Sequence, residues 1–250
     1  MNKLRPWLKL TSVFIVLCWH LSQLLIINSL KGKNTERGFR YRRKFCRKAI
    51  SIFGIDYQHT SAYAGGVCLY VSNHRSMLDP LIQLGYMDVF IVSKAEVGSY
   101  PVLGRGARET GIILVHRHDQ TSRRYALEAI EEKLRAGFPV LIYPEGTTNG
   151  SDLTGEFRRG AIELARRLVV PIVPVMIEYP DHSYYWVDDP LLTYFKKILS
   201  SPYTHKVFGK VGRAMNAGSP ESIVEETRAA INCMILEARA STSSNDEVKP

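Results

Sequence analysis

The stretch Val67–Pro80, VCLYVSNHRSMLDP, decides how the chain folds. Its first residues alternate between large hydrophobic and smaller or more polar side chains, which predicts a strand with one buried face. A polar cluster then interrupts the pattern, and Asp79 followed by Pro80 is a typical start for a helix. The sequence therefore predicts a strand, a polar loop and a helix, with His74 in the loop. Strand ends of this kind are where open α/β sheets usually carry their sites.

Asp79 follows His74 by five residues, across this predicted loop. A carboxylate that accepts a hydrogen bond from one imidazole nitrogen fixes the tautomer and leaves the other nitrogen free to take a proton. Such an imidazole can act as a general base on an attacking hydroxyl. The alternative is structural, with Asp79 as a helix cap and His74 as an exposed loop residue. Taken alone, these two residues favour the structural alternative.

The rest of the folded region alternates short hydrophobic runs with helical patterns, which predicts an α/β sheet domain. Further strands are predicted at 88–94, 112–115, 138–143, 170–179 and 206–212. Helices are predicted at 120–136, from Phe157, at 191–200 and from Ser219 to about Ala240. Pro171 and Pro174 indicate either an edge strand or the beginning of a strand.

The positive charge of the chain is concentrated at its start. Residues 1–48 hold twelve Lys or Arg and one Glu, whereas the remaining 202 residues hold 21 basic and 23 acidic side chains. A nucleic-acid-binding protein usually carries its basic surface on the folded domain, so that class is not expected. The basic residues flank the apolar segment 10–30 instead, which as a helix would be about 31 Å long, close to the thickness of a bilayer core. The polar residues within it leave open a helix that lies partly in one leaflet.

Nine basic residues lie between Lys31 and Lys48. A hydrophobic helical face, opposed by basic residues, is typical of a helix on an anionic lipid surface. That face contains Phe39, Cys46, Ala49, Ile50 and Phe53. The excess of basic residues after the apolar segment places the domain on the cytoplasmic side of the cell membrane. The alternative is a solvated linker.

We therefore expect a membrane anchor and basic juxtamembrane helix over 1–54, a folded domain over 55–240, and a disordered tail over 241–250. The four cysteines show no pair spacing, which indicates a reducing compartment. His116 and His118 form an H-x-H pair without further converging ligands, so no metal site is expected. The chain has no G-x-S-x-G elbow, Walker loop or dinucleotide-binding fingerprint.

Other predicted strand ends also carry polar residues. Arg117 ends one strand, where its planar guanidinium suits paired phosphate oxygens. Glu145 ends another, and Gly146 after it allows a ligand to approach the backbone closely. Arg158 and Arg159 open a helix whose N-terminus favours anions. Each of these residues, considered alone, has an equally good explanation as an ion-paired, loop or solvated side chain.

Taken together, four segments resemble the membrane glycerolipid acyltransferase family, of the 1-acylglycerol-3-phosphate acyltransferase type. The family's N-H-x-x-x-x-D motif matches Asn73–Asp79, and its motif of Gly, an apolar run and Arg matches Gly111–Arg117. Its F-P-E-G-T-R motif matches Tyr143–Thr147 and departs at Thr148. Its V-P-I-x-P-V motif matches Val170–Val175. The order and spacing agree over roughly residues 67–177.

This resemblance implies a mixed, mostly parallel sheet flanked by helices. It also implies transfer of a fatty acyl group from acyl-CoA or acyl carrier protein, as co-substrate, to a lysolipid hydroxyl, with no resident cofactor. His74 would deprotonate the acceptor hydroxyl, Asp79 would orient His74, and Arg117 would bind the acceptor's phosphate. The remaining motif residues would help hold the glycerol phosphate: Glu145, Gly146 and Thr147.

Thr148 stands where lysophosphatidate enzymes of this family commonly have Arg. Arg158 or Arg159 can supply the missing charge. The expected acceptor is 1-acyl-sn-glycerol-3-phosphate, which would give phosphatidate in phospholipid biosynthesis. The alternatives are another lysolipid, such as a lysophospholipid or lyso-ornithine lipid, and a non-catalytic lipid-binding module. A hydrolase that uses His74 to activate water is a third alternative.

Overall fold

The computed structural model describes residues 4–60, 66–115, 120–187, 189–201, 204–216 and 220–246. The helices are α1 (Arg5–Lys31), α2 (Thr35–Phe53), α3 (Asp79–Leu84), α4 (Pro101–Glu109), α5 (Gln120–Arg135), α6 (Gly160–Arg167), α7 (Leu191–Ser200) and α8 (Pro220–Asp246). The strands are β1 (Ile55–His59), β2 (Leu69–Ser72), β3 (Phe90–Lys94), β4 (Ile112–Val115), β5 (Val140–Ile142), β6 (Ile172–Glu178) and β7 (His205–Val211). Short 3₁₀ helices cover Ala95–Ser99 and His182–Tyr184.

The described residues cluster into two compact units that are discontinuous in sequence. The first unit comprises residues within 1–56, 80–129 and 189–205. The second comprises residues within 57–79, 130–188 and from 206 onward. Both α1 and α2 therefore belong to the same unit as α4 and β4. The predicted division into an anchor region over 1–54 and a folded domain over 55–240 stays a prediction.

In the second unit β2 lies between β5 and β6 and runs parallel to both. The register places Val71 beside Ile142 of β5 and beside Pro174 of β6. Strand β7 is antiparallel to β6 and lies next to β1. Helix α8 packs along β6. The predicted mixed, mostly parallel sheet flanked by helices is confirmed.

Strand β6 is an interior strand, so its prolines mark the beginning of a strand, the second of the two predicted alternatives, and not an edge. Pro174 lies within β6 and its carbonyl accepts from the Gly212 nitrogen. The nitrogen and carbonyl of one residue point to the same side of a strand. The missing N–H of Pro174 therefore faces Gly212, just past the end of β7 at Val211, and not the neighbouring strand β2.

In the first unit α1 and α2 pack against each other, and β3 and β4 form a parallel pair. The hydrophobic stripe of α2 is buried inside this unit rather than available to a lipid surface. Phe39, for example, contacts the Phe90 ring edge to face. Basic residues of α2 also bind within the unit, since Arg43 pairs with Asp88 and Arg47 donates to the Gly85 carbonyl.

Many of the large hydrophobic residues of helix α1 are exposed, among them Trp7, Phe14 and Leu30. Only 11% of its most apolar 18-residue window is buried, and by length and composition it can cross a membrane. At the other end of the chain α8 continues to Asp246, six residues into the segment predicted to be disordered. Neither glycine nor proline occurs between Glu221 and Asp246, so nothing in the sequence ends the helix earlier.

Candidate active site

The amide of Asn73 joins the end of β2 to β6. Its Nδ2 donates to the Ile177 carbonyl at 2.8 Å, and its Oδ1 accepts from the Ile177 nitrogen at 2.9 Å. The side chain therefore replaces a strand residue and satisfies two buried backbone groups. These two hydrogen bonds fix the point at which the chain leaves the sheet, and His74 is the next residue.

The imidazole and the carboxylate of the predicted pair are in contact. His74 Nδ1 lies 2.9 Å from Asp79 Oδ2, and Asp79 is fully buried. The same oxygen accepts from the backbone nitrogens of Arg75 at 2.6 Å and Ser76 at 2.9 Å. The other oxygen accepts from the Tyr179 hydroxyl at 2.5 Å. Four donors satisfy the carboxylate in its ionised form, in which it accepts a hydrogen bond from the Nδ1–H group of His74.

His74 is held in one orientation. Its ring stacks on Tyr143 with centroids 4.2 Å apart, and 14% of its side chain is exposed. With the proton on Nδ1, the Nε2 atom is an acceptor, and no described residue provides a hydrogen bond to it. The site therefore has an oriented imidazole with one nitrogen available to a ligand.

The side chain of Glu145 forms hydrogen bonds with the loops around His74. Its Oε1 accepts from the His74 backbone nitrogen at 2.9 Å. Its Oε2 accepts from Asn149 Nδ2 at 2.9 Å and from the Gly155 nitrogen at 2.8 Å. The carboxylate thus joins the loop after β2 to the loop after β5. Its predicted contact with the acceptor's glycerol phosphate stays a prediction.

Asn149 was not a predicted site residue, although Asn149-Gly150 is a dipeptide typical of turns. Its backbone nitrogen donates to the His74 carbonyl at 2.8 Å, so both backbone groups of His74 are held by residues of the 145–149 segment. Its side-chain Oδ1 accepts from the Ser151 nitrogen and closes the turn. A turn dipeptide predicts a hydrogen bond between the Asn149 side chain and the backbone nearby, but it does not predict that the turn lies against His74.

A cavity of about 650 Å³ lies beside the pair and is lined by residues of the 145–159 segment. Its lining includes Glu145, Thr147, Thr148, Arg158 and Arg159. His74 does not line it, but Glu145 does and bonds to the His74 backbone. Four of the predicted binding residues thus line this cavity, namely Glu145, Thr147, Arg158 and Arg159, and a fifth, Gly146, lies in the same segment.

The two arginines differ in their surroundings. The Arg158 guanidinium lies over the Gly146 backbone, and no described residue forms a hydrogen bond or ion pair with it. Arg159 Nη1 lies 3.7 Å from Glu221 Oε1 on α8. Arg117, the predicted phosphate ligand, lies outside the described residues, as do His116 and His118.

Arg75 is another residue that the sequence did not single out. It is completely buried, and its guanidinium donates to the carbonyls of Asn149, Ser151 and Asp152. Its Nε lies 3.6 Å from Glu178 Oε2. Glu178 also accepts from the Tyr185 hydroxyl, and burial together with this carboxylate raises the pKa of Tyr185. Arg75 therefore organises the loop that carries Asn149.

The sequence is similar to known acyltransferases. The sequence profile of the family described as Acyltransferase matches residues 54–178, half of the chain. The 1-acyl-sn-glycerol-3-phosphate acyltransferase of Helicobacter pylori strain J99 is 29% identical over 166 residues, which cover 65% of this chain and 69% of that protein. The lyso-ornithine lipid O-acyltransferase of Rhodobacter capsulatus is 28% identical over 196 residues, covering 72% of this chain and 69% of that protein. Other curated relatives are longer, and the chain spans 55% of one and 21% of another.

The fold is also similar to that of a solved structure. The crystal structure of the 1-acyl-sn-glycerophosphate (LPA) acyltransferase PlsC from Thermotoga maritima superposes with a TM-score of 0.72 at 19% sequence identity. The match covers 96% of this chain and 98% of that one. It supports the fold described above.

Proposed function

The chain belongs to the acyltransferase family, and we propose that it transfers a fatty acyl group from a thioester to the free hydroxyl of a lysolipid. The proposed acceptor is 1-acyl-sn-glycerol-3-phosphate, and the product is phosphatidate. The observation that carries this proposal is the oriented His74–Asp79 pair with Nε2 available to a ligand. The similarity to the Helicobacter pylori enzyme supports the acceptor.

The reaction follows from the geometry of the pair. The acceptor hydroxyl donates a hydrogen bond to His74 Nε2, and Nε2 takes its proton as the oxygen attacks the thioester carbonyl. Asp79 stabilises the resulting imidazolium through Nδ1. The tetrahedral intermediate collapses with loss of the thiolate, which takes the proton back from Nε2. The products are the ester and the free thiol, so no proton or electron is left over.

A thioester is already an activated acyl donor, so the reaction needs no resident cofactor or metal. General-base help contributes roughly 10²–10⁴-fold, and holding the two substrates together contributes further. We propose acyl-CoA or acyl carrier protein as the donor. Activity that survives a metal chelator is the expected result for this reaction.

The cavity supports an anionic acceptor. Arg158 has a guanidinium without a partner among the described residues, and this guanidinium lies over Gly146 in a cavity that Thr147 also lines. Arg158 thus offers a cation where Thr148 replaces the family's common arginine. A lyso-ornithine lipid is the second candidate acceptor, favoured by Thr148 and by the similarity to the Rhodobacter capsulatus enzyme.

We propose further that α1 holds the protein to the cell membrane, with the second unit on the cytoplasmic side. Helix α1 is long and apolar enough to span a bilayer. Nine basic residues follow it between Lys31 and Lys48, against three in the first nine residues. Anionic lipid attracts such a segment. Protease accessibility in sealed inverted vesicles measures this orientation.

The proposal is tested by incubating the purified protein with one labelled acyl thioester and a panel of lysolipids. We expect the label in phosphatidate when 1-acyl-sn-glycerol-3-phosphate is supplied. His74→Ala should lower kcat by about 10²–10⁴-fold while the protein stays folded. Full turnover in that variant would refute the proposed base. Label released as free fatty acid without an acceptor would instead support a hydrolase, and binding without turnover a lipid-binding module.

A further inference from the structure

Tyr179 forms the fourth hydrogen bond to Asp79, and no motif in the sequence points to it. It follows β6 directly and is 1% exposed. Its hydroxyl lies 2.5 Å from Asp79 Oδ1, the oxygen that does not bind His74. Hydrogen bonds to ionised carboxylates are short and strong, and this contact has that length.

The sheet fixes the position of Tyr179 relative to Asp79. The Asn73 amide binds both backbone groups of Ile177, two residues before Tyr179. The ring of Tyr179 stacks on Tyr184 at 6.2 Å and meets Tyr185 edge to face at 6.4 Å. A buried ring packed in this way cannot swing its hydroxyl away from Asp79.

The Tyr179 hydroxyl determines how the Asp79 carboxylate faces His74. Because Tyr179 occupies Oδ1, the carboxylate plane is fixed and Oδ2 is aimed at Nδ1. We propose that Tyr179 is a positioning residue for the catalytic pair, which holds Asp79 in the orientation that keeps the proton of His74 on Nδ1 and Nε2 free for the acceptor hydroxyl. The kinetic part of this inference rests on the proposed function. The effect of Tyr179 on the tautomer of His74 does not depend on that function.

The kinetic test is Tyr179→Phe, which removes one oxygen atom and keeps the ring. We expect kcat to fall about tenfold, while KM for acceptor and donor stays within about twofold, because Tyr179 touches neither substrate. Tyr70→Phe is the matched control, since Tyr70 is equally buried in β2 and its hydroxyl bonds to the Cys68 side chain. That control should retain kcat. Unchanged kcat in Tyr179→Phe would overturn the proposal.

A double mutant separates positioning from a general effect on folding. In the His74→Ala background, Tyr179→Phe should cause no further loss, because no imidazole remains to be oriented. If the same tenfold loss appears in both backgrounds, Tyr179 supports the scaffold only and the proposal is wrong.

Nitrogen-15 NMR of the histidines makes the test independent of turnover. The wild-type His74 signals, identified by their loss in His74→Ala, should show the Nδ1–H tautomer, and Tyr179→Phe should shift them towards a tautomer mixture. Unchanged signals contradict the positioning effect, even if the protein transfers no acyl group. A tautomer shift in a protein without acyl transfer would refute the proposed function and leave this inference standing.

Discussion

Because Gly146 has no side chain, the Arg158 guanidinium can lie against its backbone in the cavity. Gly146 has a φ of +75°, in the left-handed region that other residues disfavour. A Cβ atom added there would lie 2.6 Å from Arg158 Cζ. Only glycine therefore allows the guanidinium to lie flat against the turn after β5. The backbone nitrogen of Arg158 donates to the Pro144 carbonyl, which holds the residue at this turn.

Arg158→Gln is the prediction that follows at this scale. The Arg158 guanidinium has no partner in the part of the chain that the structure describes, so its removal costs the protein little, whereas an anionic headgroup loses a charge-assisted hydrogen bond. We expect KM for 1-acyl-sn-glycerol-3-phosphate to rise about tenfold or more, with little change in thermal stability. Steady-state kinetics across acceptor concentrations measures this.

Arg135→Gln is the control for that substitution. Arg135 is an exposed arginine at the end of α5, paired with Glu131, outside the cavity. Its replacement removes the same charge and should leave KM unchanged. An equal rise of KM in both variants would mean that only net charge matters and that Arg158 is no specific ligand.

At the scale of elements, the residue that follows the C-cap of α6 has an unfavourable backbone conformation. Val169 has a φ of +56°, and its side chain is 84% exposed. The Val170 nitrogen donates to the Ala165 carbonyl and the Val169 nitrogen to the Arg166 carbonyl, which is the Schellman arrangement. Glycine is the usual residue at this position, because a β-branched side chain is strained there.

Val169→Gly should therefore stabilise the protein. Relief of the backbone strain contributes about 1 kcal/mol, and the exposed side chain loses almost no burial. Val169→Ala retains a Cβ atom and should gain much less. Chemical denaturation of the two variants against wild type measures both free energies of unfolding. A Val169→Gly protein less stable than Val169→Ala would contradict this explanation.

At the scale of the whole molecule, the hydrophobic surface and the positive charge lie at the N-terminal end. Leu8, Ile15, Trp19 and Ile26 of α1 are each at least half exposed. A contiguous hydrophobic surface of this kind on one helix marks a membrane or protein contact. The net charge of +9 also belongs to this end, since residues 1–48 carry +11 and the rest −2.

The 250-residue chain should therefore float with lipid vesicles. The double variant Ile15→Lys and Trp19→Lys should reduce the bound fraction strongly, because a lysine in the bilayer centre costs about 2.5–3.5 kcal/mol. Tyr125→Lys, at an exposed hydrophobic residue of α5, is the control and should bind like wild type. Equal flotation of all three proteins would show that α1 does not enter the membrane.

The sequence by itself determined the elements around the pair. The strand β2, the polar loop and the start of α3 at Asp79 follow from local signals, namely a hydrophobic run and a capping residue followed by proline. The prediction that only one face of β2 is buried is wrong, because all four residues of this strand are buried in the interior of the sheet. The contact between His74 and Asp79 is local too, because five residues of loop can hold both side chains together. The four family motifs, in order, also identified the family that the sequence profile confirms.

Only the tertiary structure decided which distant groups complete the site. Tyr179 binds Asp79 from 100 residues away, and Glu145 binds the His74 backbone from 71 residues away. The hydrophobic pattern of α2 predicted an amphipathic helix correctly, but a pattern does not say whether protein or lipid covers the face. Local signals depend on neighbours in sequence, whereas burial and hydrogen-bond partners depend on which strands become adjacent once the sheet forms.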